Sequence, residues 1–364
     1  MTRPQTRTRS SIVVRAFFAF ATVVAFTSLT AVVAHIVNTA VGLIAVRGTA
    51  DSSGGLVILD RSFEPSDRNG DAEVFASWTL LESIVRRRQI EREVSDRLPD
   101  GTRLEFRSWL SVTFVFGGHS ANPLRTGIRG ALIGSLWIMA IAAIVAVPVG
   151  VAAAVYLEEF GPPDRLRRLM RESVHLLDGV PSVVYGLIGI VLFVRFVGPW
   201  TSGTAFGVSA TRVPTGRTIL SAGLTMALVT LPRIVIAAEQ AISAIEARVR
   251  LAAFSVGATR WQVVRDHVLP QAGPEIGAAA ILAIARAVGD AAILIMVGAS
   301  TVVIADPGTP FAAFTALPVL AYQWAMRPDP SYRGLASAAL LVLLLLVVLL
   351  NIAAAVALRA RRTR

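Results

Sequence analysis

The 364-residue sequence contains no cysteine and no lysine, and it has only four histidines. The absence of cysteine excludes disulfides, thiolate metal sites and thiol nucleophiles. The absence of lysine excludes a P-loop lysine, a Schiff base and a lysine general base. His35, His119, His175 and His267 are scattered without HExxH spacing, so no metal site is predicted. No Ser–His–Asp arrangement is recognisable either, and we predict that the chain is not itself an enzyme.

Charged residues are scarce, at 16% of the chain, whereas apolar residues make up 54% and the mean hydropathy is +0.63. This composition is too apolar for an ordinary soluble domain. Several apolar runs reach the roughly 20 residues that a helix needs to cross a bilayer. The sequence therefore predicts an all-α integral membrane protein surrounded by lipid.

The net charge of +11 is concentrated beside the apolar runs at both ends of the chain. Arginines adjacent to spans are typical of the cytoplasmic side, so we expect both termini in the cytoplasm and the apolar runs in the cytoplasmic (inner) membrane. Tails this short do not predict nucleic-acid binding. The arginines concerned are Arg3, Arg7, Arg9, Arg15, Arg359, Arg361, Arg362 and Arg364.

Six predicted spans divide the chain. A basic N-terminus (1–15) precedes the first transmembrane helix (16–46), whose apolar run is too long for a cleaved signal peptide and favours a retained anchor. An extracytoplasmic insert (47–121) follows, then a transmembrane domain (122–358) and a basic tail (359–364). Spans two to six are predicted within 122–160, 181–200, 218–238, 274–300 and 334–358.

Within the insert, residues 79–98 have the apolar spacing of an amphipathic helix. Such a helix is either a docking surface for a partner or a solvated, locally folded element, and the sequence leaves both interpretations open.

The cytoplasmic loop 240–270 contains a predicted helical hairpin, LAAFSVGATRWQVVRDHVLP (251–270). Gly257 supplies the turn, because glycine enters left-handed backbone space without a steric penalty. Thr259 is a suitable N-cap for the second helix, which we expect to end at Pro270.

This hairpin resembles the EAA loop of ABC importer permeases, the coupling helix that docks on the ATPase. The chain keeps Ala252, Ala253, Gly257, Leu269 and Pro270 of that pattern, and it has Leu251 where the family has Glu and His267 where the family has an aliphatic residue. The resemblance implies that residues 251–270 contact a separate ATPase. The implied coupling residues are Leu251, Ala252, Ala253, Gly257, Ala258, Thr259, Arg260, Leu269 and Pro270.

Charged residues inside predicted spans are functional candidates, because each costs about 3 kcal/mol or more in a bilayer. Arg286 and Asp290 in span five are four residues apart, which places them on one face of a continuous helix. Arginine holds a tetrahedral oxyanion through paired hydrogen bonds, and an adjacent carboxylate suits phosphate, which keeps a proton at neutral pH. The alternative is an intrahelical ion pair. Arg195 and Arg233 are predicted to snorkel to the interface.

Four further stretches, GVPSVVYGL (179–187), AVPVGVAAAVYLEEF (146–160), GATRWQVV (257–264) and ARAVGDAA (285–292), resemble the PstA-type permease of the phosphate ABC importer. The resemblance implies a substrate path at Arg286 and Asp290, where the family has Arg and Glu. It also implies three partners: a PstC-type permease, a PstB-type ATPase dimer and a PstS-type phosphate-binding protein. ATP and Mg would bind to the ATPase, and no cofactor is expected on this chain. The motif residues are Gly179, Pro181, Ser182, Tyr185 and Gly186.

We therefore expect the permease subunit of an ATP-driven phosphate importer. One alternative is a permease for another oxyanion or small solute. The other is a membrane sensor or scaffold whose insert binds a partner while no solute crosses.

Overall fold

A computed structural model describes residues 6–47, 73–97, 103–120, 122–161, 163–207, 216–299, 306–328 and 331–362. Two compact units divide the chain. One comprises Met1–Leu110 with Arg327–Leu341, and the other comprises Ser111–Met326 with Val342–Arg364.

The first unit begins with helix α1 (Thr6–Ala40), of which Phe18–Ala40 is long and apolar enough to cross a membrane. The prediction extended this span to residue 46, whereas the helix ends at Ala40 and strand β1 (Val41–Arg47) follows at once. Strands β2 (Glu73–Ser77) and β3 (Arg103–Ser108) pair antiparallel with either edge of β1, in the order β2-β1-β3. These partners lie far along the sequence, which is why the local apolar pattern did not reveal the strand.

The predicted helix over 79–98 is broken into two elements, α2 (Leu80–Val85) and α3 (Arg87–Arg97). Thr79 caps α2 through a capping box with Glu82, and Arg86 separates the two helices. Residue 98, the last of the predicted helix, lies outside the described residues, as does most of the linker between β1 and β2.

The first half of the second unit contains α4 (Val112–Phe116), α5 (Arg129–Val155), α6 (Asp164–Asp178), α7 (Ser182–Gly189) and α8 (Gly198–Thr201). Two π-helical segments, Tyr156–Phe160 and Ile190–Phe196, extend α5 and α7 respectively. A short 3-10 helix, Thr204–Phe206, follows α8.

The second half contains α9 (Ile219–Ser243), α10 (Ala247–Ser255), α11 (Arg260–Val263), a π-helical segment (Val264–Val268), α12 (Leu269–Val288), α13 (Ala291–Val297) and α14 (Leu317–Ala325). The last helix, α15 (Ser331–Arg362), starts among residues of the first unit and ends among those of the second.

Five helices in the described part of the chain could cross a membrane by length and composition. A sixth candidate is the pair Asp164–Asp178 and Ser182–Phe196, which is bent by 98°. The predicted membrane protein built from helices is therefore confirmed, with the addition of a small sheet. The five are Phe18–Ala40, Arg129–Phe160, Ile219–Ser243, Arg260–Val288 and Tyr332–Arg359.

Small residues bring α5 and α9 into close contact. A Cβ added at Gly150 would lie 2.7 Å from Cγ2 of Ile234, and one added at Gly223 would lie 2.6 Å from Cβ of Ile141. Membrane helices associate through such close packing because lipid provides no hydrophobic driving force between them. Two clusters of buried residues join this pair to α7, α12, α13, α14 and the loop that follows α9.

The expectation that Pro270 ends a helix is wrong, because α12 contains Pro270 in its first turn and runs on to Val288. Proline is tolerated there since its missing N–H has no obligatory acceptor in a first turn. The π-helical segment before α12 also shifts the backbone pairing by one residue, which relieves the clash that a regular helix would impose.

Candidate functional site

A polar cavity of about 270 Å3 lies where the α6–α7 junction meets α9 and the α12–α13 junction. These elements bring together residues from three separate parts of the sequence. The polar lining residues are Asp178, Ser182, Tyr185, Arg233, Arg286 and Asp290.

Both predicted path residues line this cavity, but the predicted helix face that they would share does not exist. Helix α12 ends at Val288, with Gly289 as its C-cap. Asp290 is the N-cap of α13, and its Oδ1 accepts a hydrogen bond of 3.1 Å from the backbone N of Ala292. Glycine ends the helix readily and aspartate starts the next one, so the sequence VGD produces a break inside the predicted fifth span.

Arg286 occupies the last turn of α12, with its side chain at the exposed surface of this chain. Among the described residues, no ion pair and no side-chain hydrogen bond includes its guanidinium. The predicted alternative, an ion pair with Asp290, is therefore not formed in this conformation. Arg286 thus lines the cavity with a guanidinium whose N–H donors are not engaged by any described residue.

Arg233 and Asp178 are two cavity residues that the sequence did not indicate. Nε of Arg233 donates to Oδ1 of Asp178 at 2.8 Å, and both side chains are partly buried. Arg233 was predicted to snorkel to the interface, whereas it pairs with this carboxylate. The available signal was an arginine directly after Pro232 within an apolar run, together with an aspartate directly before Gly179.

The GVPSVVYG motif shapes one wall of the cavity. Gly179 ends α6, Pro181 is the N-cap of α7, and Ser182 opens the new helix. Tyr185 is buried, and its hydroxyl donates a hydrogen bond of 2.7 Å to the carbonyl of Leu177 across the bend. The motif therefore fixes the sharp turn that carries Asp178 towards Arg233.

Gly186 allows α7 to pack closely against α13. An added Cβ would lie 3.0 Å from Cβ of Met296 and 3.4 Å from Cα of Ile293. Because Asp290 is the N-cap of α13, this contact links the motif to the second predicted path residue.

Residues 251–270 form the predicted hairpin, apart from its end at Pro270. Gly257 has φ +83°, in the left-handed region that favours glycine. Thr259 caps α11 in a capping box with Gln262, whose Oε1 accepts from the backbone N of Thr259 at 2.8 Å. The turn and the cap were both readable from local sequence, because each depends on one residue type at one position.

The hairpin has one buried face and one exposed apolar face. Ala253 packs with the ends of α9 and α12 in a hydrophobic cluster whose hairpin members also include Val263, Val264 and Val268. Leu251, Phe254, Val256 and Trp261 are exposed, with Val256 83% accessible. Four exposed apolar side chains on one hairpin are typical of a protein-docking surface.

Arg250 braces the base of the hairpin. Its Nη2 lies 2.8 Å from Oε1 of Glu159, in the π-helical extension of α5. Its Nη1 donates to the carbonyl of Ile245 at 2.7 Å, and Nη2 donates to that of Ile242 at 2.9 Å. One guanidinium thus joins the hairpin to both α5 and the C-terminal turn of α9.

A second ion-pair cluster lies near this brace. Arg171 of α6 pairs with Glu158 beside Glu159 and with Glu239 of α9. Two carboxylates that share one guanidinium fix α6 to the ends of α5 and α9.

The family described as "Binding-protein-dependent transport system inner membrane component" matches residues 146–363. The probable ABC transporter permease protein YqgI of Bacillus subtilis (strain 168) is 30% identical over 194 residues, covering 53% of this chain and 60% of that protein. The phosphate transport system permease protein PstA 1 of Mycobacterium tuberculosis (strain ATCC 25618 / H37Rv) is 33% identical over 201 residues, with coverages of 53% and 60%.

Among solved structures, the inward-facing MetNI methionine ABC transporter is similar at a TM-score of 0.49 and 22% identity, covering 64% of this chain and 95% of that chain. The chain spans about three fifths of the length of the curated relatives named above. Because the family model covers more than half of the sequence, the chain belongs to the family of binding-protein-dependent transport system inner membrane components.

Proposed function

We propose that this chain is the permease subunit of an ATP-binding-cassette importer that carries inorganic phosphate across the cytoplasmic membrane. The observation that supports this most directly is the guanidinium of Arg286, which lines a polar cavity without a partner in the described residues. Relatives named as PstA and PstC phosphate permeases, at 28–34% identity, favour the same substrate.

The cavity combines groups that suit a partly protonated oxyanion. The fork of Arg286 can donate two hydrogen bonds to phosphate oxygens. Arg233 is a second donor if the anion displaces Asp178. Asp290 can accept a hydrogen bond from a phosphate hydroxyl, which phosphate retains at neutral pH and sulfate does not. A carboxylate in an anion site therefore favours phosphate over a fully ionised oxyanion.

The exposed apolar face of the hairpin is the proposed contact for a PstB-type ATPase dimer, which binds ATP and Mg. Closure of that dimer pushes residues 251–270, and the α12 helix transmits the movement to Arg286 at its other end. A PstC-type permease completes the translocation path, and a PstS-type binding protein delivers phosphate from outside. In this arrangement both termini lie in the cytoplasm.

The substrate is tested by reconstituting the complex with binding proteins loaded with different anions. We expect phosphate-loaded binding protein to stimulate ATP hydrolysis and sulfate- or molybdate-loaded protein to have no effect. Stimulation by sulfate or molybdate but not by phosphate would identify a permease for another oxyanion. An assembled complex that moves no solute would indicate the sensor or scaffold alternative.

A further inference from the structure

Helix α6 exposes an apolar stripe along its whole length. Asp164–Asp178 contains no buried residue, and five apolar side chains range in exposure from 38% at Met170 to 75% at Leu176. The other four follow Leu166 by three, four, ten and eleven residues, and this spacing places all five on one helical face. The stripe consists of Leu166, Leu169, Met170, Leu176 and Leu177.

A different face of α6 is fixed to the rest of the second unit. Arg171 pairs with Glu158 at the end of α5 and with Glu239 near the end of α9. Four residues after Glu239, α9 ends and the chain leads into the hairpin. Helix α6 therefore lies on the same side of the membrane as the hairpin.

The axis of α6 is bent by 98° from the segment Ser182–Phe196 that follows it. We take the apolar segment Ser182–Phe196 as the part of this bent pair that enters the bilayer, because α6 is the polar, arginine-rich half. A helix nearly perpendicular to that segment then lies along the membrane surface. An amphipathic helix in that plane buries its apolar face at the boundary between headgroups and acyl chains. The geometry accounts for a leucine stripe that is exposed in this chain.

The polar side of α6 carries charge that complements lipid phosphate. Arg165 and Arg168 are exposed, and neither takes part in an ion pair within the described part of the chain. Beside them, Arg167 donates from Nη2 to the carbonyl of Gly161 at a long 3.5 Å. Guanidinium groups at an interface reach headgroup phosphates while their stems cover apolar surface, and each contributes attraction to an anionic leaflet.

We propose that α6 is an in-plane interfacial helix that binds anionic phospholipids in the leaflet on the hairpin side. Its leucines enter the acyl region and Arg165 and Arg168 bind headgroup phosphates. Since α6 also carries Arg171 and the cavity residue Asp178, the lipid surface holds one wall of the cavity in place.

The absence of cysteine in the chain allows a single label on the stripe. The full chain carrying Leu169→Cys is labelled with bimane and placed in nanodiscs. The quenching of bimane fluorescence by brominated phosphatidylglycerol is then compared with its quenching by brominated phosphatidylcholine. We expect both lipids to quench, with phosphatidylglycerol effective at a several-fold lower mole fraction. Adding Arg165→Gln and Arg168→Gln removes that preference, with a loss of about fivefold per arginine, and leaves quenching by phosphatidylcholine.

Two controls match these variants. Glu172→Gln removes an exposed charge of opposite sign from the same helix and is expected to keep the phosphatidylglycerol preference. A label at His175→Cys, on the polar side, is expected to be quenched by aqueous iodide and not by brominated lipid. The proposal is overturned if the Leu169→Cys label is quenched by iodide alone, which indicates water. It is also overturned if neither agent quenches the label, which indicates that a protein subunit covers the stripe.

Discussion

At the scale of single residues, Asp290 has a structural and a proposed chemical role that substitutions can separate. Asn keeps the N-cap on α13 but loses the charge, whereas Ala loses both. We expect Asp290→Asn to melt within a few degrees of wild type and to reduce phosphate uptake about tenfold. Asp290→Ala should lose a further ~1 kcal/mol of stability. Uptake and thermal melting measure the two effects, and normal uptake by Asp290→Asn would remove the proton-acceptor role.

Arg250 provides a second residue-scale prediction. Its side chain is about one fifth exposed and joins Glu159 to two carbonyls at the end of α9. Arg250→Ala leaves these acceptors unmatched, so we expect a stability loss of roughly 1–3 kcal/mol, discounted for partial exposure. Transport per ATP hydrolysed should also fall, because the hairpin loses its brace.

The matched control for Arg250 is its near neighbour Arg248. This side chain is 92% exposed, and its pair with Glu246 is long at 3.9 Å. We expect Arg248→Ala to melt like wild type. Equal melting of the Arg250→Ala and Arg248→Ala variants would contradict the brace.

Charge in an apolar run is a local signal, which is why sequence alone indicated Arg286 and Asp290. The Arg233–Asp178 pair was missed because its members are 55 residues apart and only the fold brings them together. Snorkelling, which needs no protein partner, was a sufficient local explanation for Arg233. Pairings across helices therefore limit what local chemistry can predict.

At the scale of elements, the turn at Gly257 is the most direct test of the hairpin. An added Cβ would meet no atom within 4 Å, so the cost of substitution comes from φ +83° alone, about 1–2 kcal/mol. We expect Gly257→Val to distort the turn and uncouple ATP hydrolysis from uptake. Both rates are measured on the reconstituted complex.

Gly273 in α12 is the matched control, since an added Cβ there also meets nothing within 4 Å and φ is not positive. Gly273→Ala should therefore leave both rates unchanged. Unaltered ATPase docking and coupling in Gly257→Val would contradict the proposal that residues 251–270 transmit movement from the ATPase.

The elements also show where periodicity misleads. Hydropathy extended the first span to residue 46, although β-pairing with β2 and β3 converts residues 41–47 to strand. Pro270 looked like a helix end, but the π-helical segment and its first-turn position accommodate it. The break after Val288 was signalled by the GD dipeptide, and the apolar run on both sides concealed it.

At the scale of the whole molecule, we expect assembly with the ATPase to depend on the exposed apolar face of the hairpin. Val256→Arg places a charge at a side chain that is 83% exposed, so the fold should be unaffected while ATPase docking weakens. We expect the complex purified with Val256→Arg to contain at least tenfold less ATPase subunit than the wild-type complex. Gln271→Arg adds the same charge at an exposed polar position in α12 and should purify with a normal amount of ATPase. Equal ATPase content in both variants would place the docking surface elsewhere.

The membrane class of the whole chain was predictable because composition and apolar run length are summed over hundreds of residues. The proposed substrate, phosphate, was suggested by only a few residues of span five and by a family resemblance. The small sheet in the first unit was not foreseen, since its strands are joined through segments rich in polar residues and far apart in sequence.

The central claim is that ATP-driven movement of phosphate passes the guanidinium of Arg286. Proteoliposomes containing the complete importer should accumulate labelled phosphate when ATP and phosphate-loaded binding protein are supplied. With Arg286→Ala we expect phosphate accumulation to fall at least tenfold while the complex assembles normally. The control is Arg195→Ala, which changes an exposed arginine outside the cavity and should behave as wild type. Undiminished phosphate accumulation by an assembled Arg286→Ala complex would contradict the account.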